Sequence, residues 1–213
     1  MSKILLSSID MRQVLKNYFY RKRIGQQLRD LLLHGSASQF AELALGIVNP
    51  TGNYSAAEHQ LGPKILSQRS STIIRDLASR IRKSTTAMTM LDEVYQANIP
   101  WLKVGVGSEM AMLLKPREFW VANTRTVWAH LLLKHKFDLA RANEALQLYR
   151  SGDQNSEMAY RIWKAIYLEI GSSVIGLTER GNVEARSQGV KPGERQNLWF
   201  DAIANSLYEE HGG

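Results

Sequence analysis

The sequence contains no cysteine, so disulfide bonds and thiol chemistry are excluded, and a zinc site would have to use histidine and carboxylate ligands alone. It also lacks any run of roughly 18 consecutive apolar residues, the length that a membrane-spanning helix needs. The apolar run in the N-terminal segment MSKILLSSIDMRQ is too short for a signal peptide. These absences together predict a cytoplasmic protein.

The common motifs of catalysis are missing as well. The segment GVGSEM has no third glycine of a dinucleotide fingerprint and no GK[ST] tail, and no serine lies in a G-x-S-x-G setting. His130 and His135 are separated by a predicted helix end and form no H-E-x-x-H pair. We therefore expect a protein that is not an enzyme and holds no cofactor or metal. A pair of carboxylates brought together by folding stays open as an alternative.

Charge is the informative part of the composition. The chain has 213 residues, of which 44% are hydrophobic and 22% charged, as in ordinary globular domains. Its net charge of +7 is uneven, with +5 over residues 1–23, +5 over 64–83, +4 over 103–150 and −3 over 151–213. Such a basic surface in the first two thirds indicates a polyanionic partner. A basic face that is merely solvated is the alternative.

The spacing of apolar residues indicates a mainly α-helical protein with one or two short strands. A long helix is predicted over residues 10–35, and the glycine- and proline-rich segment 46–63 predicts a loop with a strand at Ile47–Val48. Residues 1–63 would form a basic N-terminal helix and loop, and residues 64–213 a helical core, together one compact domain. Further helices are predicted over 67–97 (broken near 84–86), 156–170 and 194–209, with a glycine-rich connection from Gly171.

Residues 102–150 carry the most specific pattern. Nearly alternate apolar residues over 102–114 predict a strand, Pro116 suits the first turn of a helix over 117–133, and a second helix follows over 138–150. This is the order of a ribbon-helix-helix unit, in which two chains pair their strands and set the ribbon in the DNA major groove. A lone strand leaves its backbone unpaired, so the pattern predicts a homodimer. A buried hairpin or edge strand is the alternative.

The predicted contacts with double-stranded DNA come from this ribbon and from two other basic clusters. Aromatic residues precede the cations of the first helix, a combination that suits nucleic-acid bases and backbone, although such aromatics more often form a core. A third cluster would position phosphates without reading sequence. The candidate groove contacts are Lys103, Ser108 and Lys115. The candidate phosphate or backbone contacts are Arg117, Arg125, Arg21, Lys22, Arg23, Arg75, Arg80, Arg82 and Lys83.

A loose resemblance covers residues 73–192. The block FWVANTRTVWAHLLLKHKFDLARANEALQLYR, the helix AYRIWKAIYLEI and the segment GLTERGNVEARSQGVKP resemble, in this order, a family carried by integrative conjugative elements and conjugative plasmids that includes the IncC-plasmid transfer regulator AcaB. The resemblance implies a plasmid-borne transcriptional regulator that binds DNA and activates conjugation genes, similar to ribbon-helix-helix proteins. It carries over no functional residues, and it leaves open a second regulatory protein as partner.

Two rival functions remain at this point. A helical adaptor of a conjugative element would bind another protein through Trp101, Phe119, Trp120 and Trp128, with its basic face only solvated. A nucleic-acid enzyme would need two carboxylates in a cleft. Exposure of the aromatic rings would favour the first, and an accessible carboxylate pair the second.

Overall fold

The computed structural model describes residues 2–150 and 156–212, and these residues form only helices and the turns that join them. The mainly α fold with one or two strands is therefore wrong in its strands, because no described residue lies in a sheet. A short 3-10 turn spans Pro50–Gly52. The α-helices are α1 (Ser2–Ser7), α2 (Met11–His34), α3 (Ala37–Ala44), α4 (Tyr54–Glu58), α5 (Leu61–Gln68), α6 (Ser71–Lys83), α7 (Ala87–Gln96), α8 (Val104–Leu114), α9 (Thr124–Lys134), α10 (Leu139–Arg150), α11 (Glu157–Ser187) and α12 (Gln196–His211).

The stretch predicted as a strand over 102–114 forms α8. All of its residues except Gly105 are buried, because α8 packs against α2, α4, α6, α7 and α11. A helix covered on every side needs no polar face, so its sequence loses the 3.6-residue alternation that indicates a helix. A Cβ on Gly107 would lie 2.6 Å from Val94 Cγ2, so this glycine lets α7 approach closely. The predicted ribbon-helix-helix unit, and the strand pairing that called for a dimer, are wrong.

The predicted strand at Ile47–Val48 is also absent. Both side chains are exposed in the turn after α3, and the predicted loop 46–63 contains the 3-10 turn, α4 and the first residues of α5. Asn53 organises this segment, because its buried side chain donates to the carbonyl oxygens of Ala44 (3.2 Å) and Val106 (3.0 Å). A short polar residue at a helix N-cap therefore ties the segment to α8.

Local capping explains most helix ends. α2 begins after Asp10, whose side chain accepts from the Arg12 N–H at 2.9 Å, and this confirms the predicted start. The predicted break near 84–86 is confirmed, since α6 ends at Lys83 and a capping box of Thr86 and Thr89 starts α7.

Other predicted ends were wrong. The helix predicted over 117–133 begins only at Thr124, because Asn123 and Thr126 form a reciprocal capping box and Pro116 stays in the preceding turn. α10 matches the second predicted helix. Of the segment 151–156 that was predicted to close it, residues 151–155 lie outside the described residues and Ser156 is the N-cap of α11.

The longest helix, α11, runs through the predicted glycine-rich connection. A Cβ on Gly171 would lie 3.0 Å from Trp120 Cζ2, and one on Gly181 would lie 2.3 Å from Ile203 Cδ1. These glycines therefore allow close packing inside a helix, and the composition shift at Gly171 marks no boundary.

One hydrophobic core extends from Leu6 to Leu207, and residues on both sides of the predicted division at residue 63 contribute to it. α2, α8 and α12 pack against one another within this core. Within the described ranges, no helix combines the length and apolarity needed to cross a membrane.

Candidate nucleic-acid interface

Three charged side chains are buried where α2, α8 and α12 meet. Arg21 Nη2 donates to Glu109 Oε1 at 2.7 Å, Nε donates to Asp201 Oδ2 at 3.1 Å, and Nη1 donates to the Thr51 carbonyl oxygen at 2.6 Å. All three charged side chains are fully or almost fully buried. Arg21, a predicted DNA contact, therefore points into the core and joins three helices.

The two carboxylates of this buried cluster differ in the number of hydrogen bonds that they accept. Burial lowers the pKa of Arg21, but the attraction of Asp201 and Glu109 outweighs it and the net shift is upward. Glu109 also accepts from the Tyr54 N–H and from the N–H and Oγ of Ser55, at 2.8 to 3.0 Å. Asp201 Oδ1 has no hydrogen-bond partner among the described residues, and burial raises the pKa of this carboxyl against the opposing effect of Arg21.

The cluster bears on the possibility of an acid–base or metal site. It does bring two carboxylates together, Glu109 and Asp201, but neither is accessible and Arg21 bridges them. No group of three or more histidine or carboxylate residues in the described part of the chain could hold a metal ion. The arrangement is that of an internal ion cluster, and it lies on the same face of α2 as the buried apolar residues that orient this helix about its axis.

This orientation of α2 turns the opposite face of the helix outward, where it forms one wall of a groove of about 710 Å³. We call this groove the basic groove. Four cationic side chains line it and no acidic one does. None of Arg12, Lys16 and Arg23 forms an ion pair with a described carboxylate. The lining residues are Arg12, Leu15, Lys16, Phe19, Tyr20, Arg23, Gly189, Val190 and Lys191.

Two aromatic rings stand among these cations. The side chain of Phe19 is 53% exposed and that of Tyr20 is 43% exposed. Lys22 Nζ lies 6.0 Å from the Phe19 ring centre, and Arg23 Cζ lies 5.2 Å from that of Tyr20. Solvent-accessible rings beside cations form a surface on which a planar base can stack while its phosphate is neutralised.

The two walls of the basic groove are tied to each other. The Gln188 side chain accepts from the Met11 N–H (3.0 Å) and donates to the Ile9 carbonyl oxygen (3.1 Å), which joins the end of α11 to the start of α2. The chain then turns at Gly189, whose φ of +70° favours glycine. Beneath the groove, the Tyr18 hydroxyl accepts from the Arg195 N–H at 3.2 Å. The groove is therefore preorganised by the fold.

A second, smaller cavity of about 280 Å³ adjoins the groove, since Lys22 borders both the cavity and the Phe19 ring. Three cations, Lys22, Arg117 and Arg195, face one carboxylate there, that of Glu194. The positive charge of Arg195 also acts on Arg29 nearby. Burial lowers the pKa of Arg29, and repulsion by Arg195 lowers this pKa further. We call this the second basic cavity, and its remaining lining residues are Pro116 and Gln196.

Several predicted contacts instead have structural partners. Ser108 is buried, and its hydroxyl donates to the Gly105 carbonyl oxygen. Lys115 donates to the Ser84 carbonyl oxygen at 2.7 Å, and Lys103 is the half-buried N-cap residue of α8.

The predicted phosphate contacts outside α2 are similarly divided. Arg75 donates to the last carbonyl oxygens of α2, Arg80 pairs with Glu93 at 2.7 Å, and Arg125 pairs with Glu58. Arg82 and Lys83 are exposed at the end of α6, outside both cavities.

Of the predicted contacts, Lys22, Arg23 and Arg117 line the basic groove or the second basic cavity. Sequence reasoning missed Arg12, Lys16, Lys191 and Arg195. The first two had a usable signal, because residues 12, 16, 19 and 23 share one helix face by their i, i+4, i+7, i+11 spacing. Lys191 and Arg195 had no such signal, because they follow the end of α11 at Ser187, whereas the sequence predicts that this helix ends near residue 170.

The aromatic residues proposed for a protein adaptor are turned inward. Phe119 and Trp128 are fully buried, and Trp101 is half-buried against the core. Trp120 stacks on Tyr167 at 5.0 Å between ring centres and donates to its carbonyl oxygen at 2.7 Å. They form no exposed aromatic patch.

The chain is thus an all-helical protein, over its described residues, with a preorganised basic groove. Comparison with protein-family models, with curated proteins and with solved structures found no match in any of the three.

Proposed function

We propose that the protein binds nucleic acid through the basic groove and the second basic cavity. The observation that carries this proposal is the presence of cations without carboxylate partners around two exposed aromatic rings. Cations of this kind neutralise phosphates and release their counterions, and rings of this kind stack on bases. A face that served only solubility would need neither the concave shape nor the exposed rings.

Control of conjugation genes is a narrower form of this proposal, and it rests on the resemblance of residues 73–192. Control of these genes requires selective binding to particular duplex sequences, and the predicted ribbon was expected to provide the contacts with the bases. Since that ribbon is the buried helix α8, the groove residues would have to supply any selectivity. A tenfold preference for promoter DNA of such genes over shuffled DNA would support this form, and equal affinity would contradict it.

The test measures fluorescence anisotropy of labelled 30-nucleotide DNA, single-stranded and duplex, at about 50 and 200 mM salt. Affinity should fall steeply with salt. The double variant Arg12→Ala/Arg23→Ala should bind more weakly, and the slope of log affinity against log salt should become shallower by about one for each residue.

The matched control is Arg82→Ala/Lys83→Ala, which removes the same charge from exposed residues outside both cavities. It should retain nearly all of the binding. Absence of binding to either DNA form at about 50 mM salt would refute the proposal. An equal loss in both double variants would show that binding depends on net charge and not on the groove.

A further inference from the structure

We infer that the basic groove takes a single strand of nucleic acid in preference to a duplex, with Phe19 and Tyr20 as platforms for unstacked bases. This inference rests on the proposed function and concerns the form of the polymer. The ligand chemistry is a flexible chain of phosphates carrying planar bases, which single-stranded DNA and RNA share.

The first argument comes from the two rings. In a duplex the bases are stacked on one another, so a protein reaches their edges from the grooves and their phosphates from outside. A ring can stack on a base only after that base has left the duplex, which requires unpairing, whereas a single strand presents its bases freely. Phe19 and Tyr20 expose about half of their surfaces beside Lys22 and Arg23. That arrangement benefits an unpaired base.

The second argument comes from shape. The rings line a groove of about 710 Å³, a volume typical of sites that enclose small organic molecules. Such a groove receives one or two bases of a flexible strand, whereas the phosphates of a stiff duplex can contact its cations but the paired bases cannot reach its rings. The same concavity disfavours a lipid surface, because membrane-binding helices place their aromatic residues on an outward apolar face.

The third argument comes from the spacing of the cations. Arg12 and Lys22 lie ten residues apart on α2, which is about 15 Å. This distance spans at most roughly four nucleotides, because unstacked nucleotides are spaced more widely than the 3.4 Å rise of a stacked strand. Arg117 and Arg195 continue the positive surface beyond Lys22 in the second basic cavity. A strand of no more than about six nucleotides should therefore fill both cavities, and longer strands should gain little affinity per site.

The test compares one 20-nucleotide sequence as single-stranded DNA, as single-stranded RNA and as duplex DNA, with phosphatidylserine vesicles as competitor. Shorter single strands establish the minimal length. The ring variant is Phe19→Leu/Tyr20→Leu, which keeps apolar side chains but removes the stacking surfaces. Its control is Tyr95→Leu, which removes a ring that is 48% exposed on α7, outside both cavities.

Single strands should bind more tightly than the duplex, and comparison of the DNA and RNA arms identifies the preferred sugar. The ring variant should lose about 5- to 150-fold in single-strand affinity for each base that stacks on a ring, with an unchanged salt slope. The control should bind like the wild type. The substituted side chains are about half exposed, and the variants lose the ring contacts of Phe19 with Tyr18 and of Tyr95 with Tyr160, so a small change in the circular dichroism melting temperature is expected for both.

Three results would overturn the inference: a duplex that binds at least as tightly, a ring variant with unchanged affinity, or vesicles that displace the strand at low lipid concentration. Duplex binding that depends on Arg12 and Arg23 but not on the rings would leave the proposed function intact and refute only the single-strand inference. Failure of all nucleic acids to bind would refute the proposed function itself.

Discussion

Replacement of Arg21 by methionine should destabilise the fold without removing the basic groove. Methionine fills a similar volume, so the main loss is the guanidinium and its bonds to Glu109, Asp201 and Thr51. Both carboxylates would then be buried without their shared cation. Because Arg21 is fully buried, a direct role in DNA binding would require it to leave the core, and the predicted defect is one of stability.

The magnitude follows from the contacts. A hydrogen bond to a charged group contributes about 1.5–3 kcal/mol, and Arg21 makes three, of which two are to the carboxylates of Glu109 and Asp201. Removal of one member of a buried ion pair costs about 3–5 kcal/mol. Glu109 retains three other donors, whereas Asp201 retains none in the described structure. We therefore expect Arg21→Met to lower the free energy of unfolding by about 3–5 kcal/mol, mainly through Asp201.

The assay is urea unfolding at 25 °C, followed by circular dichroism. Arg23→Met is the matched control, because Arg23 is exposed two residues further along α2, and it should change stability by less than about 0.5 kcal/mol. In the Arg21→Met background, Asp201→Leu should restore part of the stability, since it removes the orphaned carboxylate.

A loss below about 1 kcal/mol for Arg21→Met, or an equal loss for Arg23→Met, would refute this reasoning. The reasoning would also be refuted if the double variant Arg21→Met/Asp201→Leu were less stable than Arg21→Met alone, by as much as the loss of a second buried contact costs. That outcome would mean that Asp201 contributes independently of Arg21.

Two further predictions concern packing and pH. Gly25→Ala should destabilise the fold by about 1–3 kcal/mol, because the added Cβ would lie 2.7 Å from the backbone oxygen of Leu113. Gly176→Ala in α11 is the control, since its Cβ would lie in open space, and it should stabilise the fold by up to about 1 kcal/mol. Equal effects of the two variants on urea unfolding would contradict this prediction. Burial lowers the pKa of His130 below its ordinary 6.5, against the opposing effect of Glu169. Because the unfolded chain takes up a proton at this histidine more readily than the folded protein does, the stability present above pH 6.5 is lost as pH falls. The melting temperature should therefore drop more between pH 7 and 5 in the wild type than in His130→Gln. Parallel curves of melting temperature against pH would contradict this prediction.

Prediction of the fold succeeded where local chemistry decides the outcome. Asp10 started α2 as expected, and the polar stretch near 84–86 separated α6 from α7, because caps act through neighbouring backbone groups. It failed at α8 and in the second half of α11. There, burial on all sides and glycine packing replaced the usual periodic signal.

For the candidate site, the sequence indicated the kind of residue more than the position. The basic and aromatic character of α2 was read from the sequence, and Lys22 and Arg23, two of the predicted DNA contacts, line the second basic cavity and the basic groove. The inward position of Arg21 had a signal that was missed, because residues 14, 18, 21, 25, 28 and 32 share the buried face of α2 by their i, i+4, i+7 spacing. The sequence could not show which carboxylates accept Arg21 there, since Glu109 and Asp201 are 88 and 180 residues away along the chain.

By itself, therefore, the sequence determined the predominance of helices, the capped starts of several helices and the excess of positive charge, since these depend on composition and on near neighbours. Only the tertiary structure decided which partners Arg21 meets in the core, and that residues 189–191 line a groove against α2. The physical reason is that these partners lie on α8, on α12 and in the turn after α11, far from α2 along the chain, and they meet α2 only after the chain has folded.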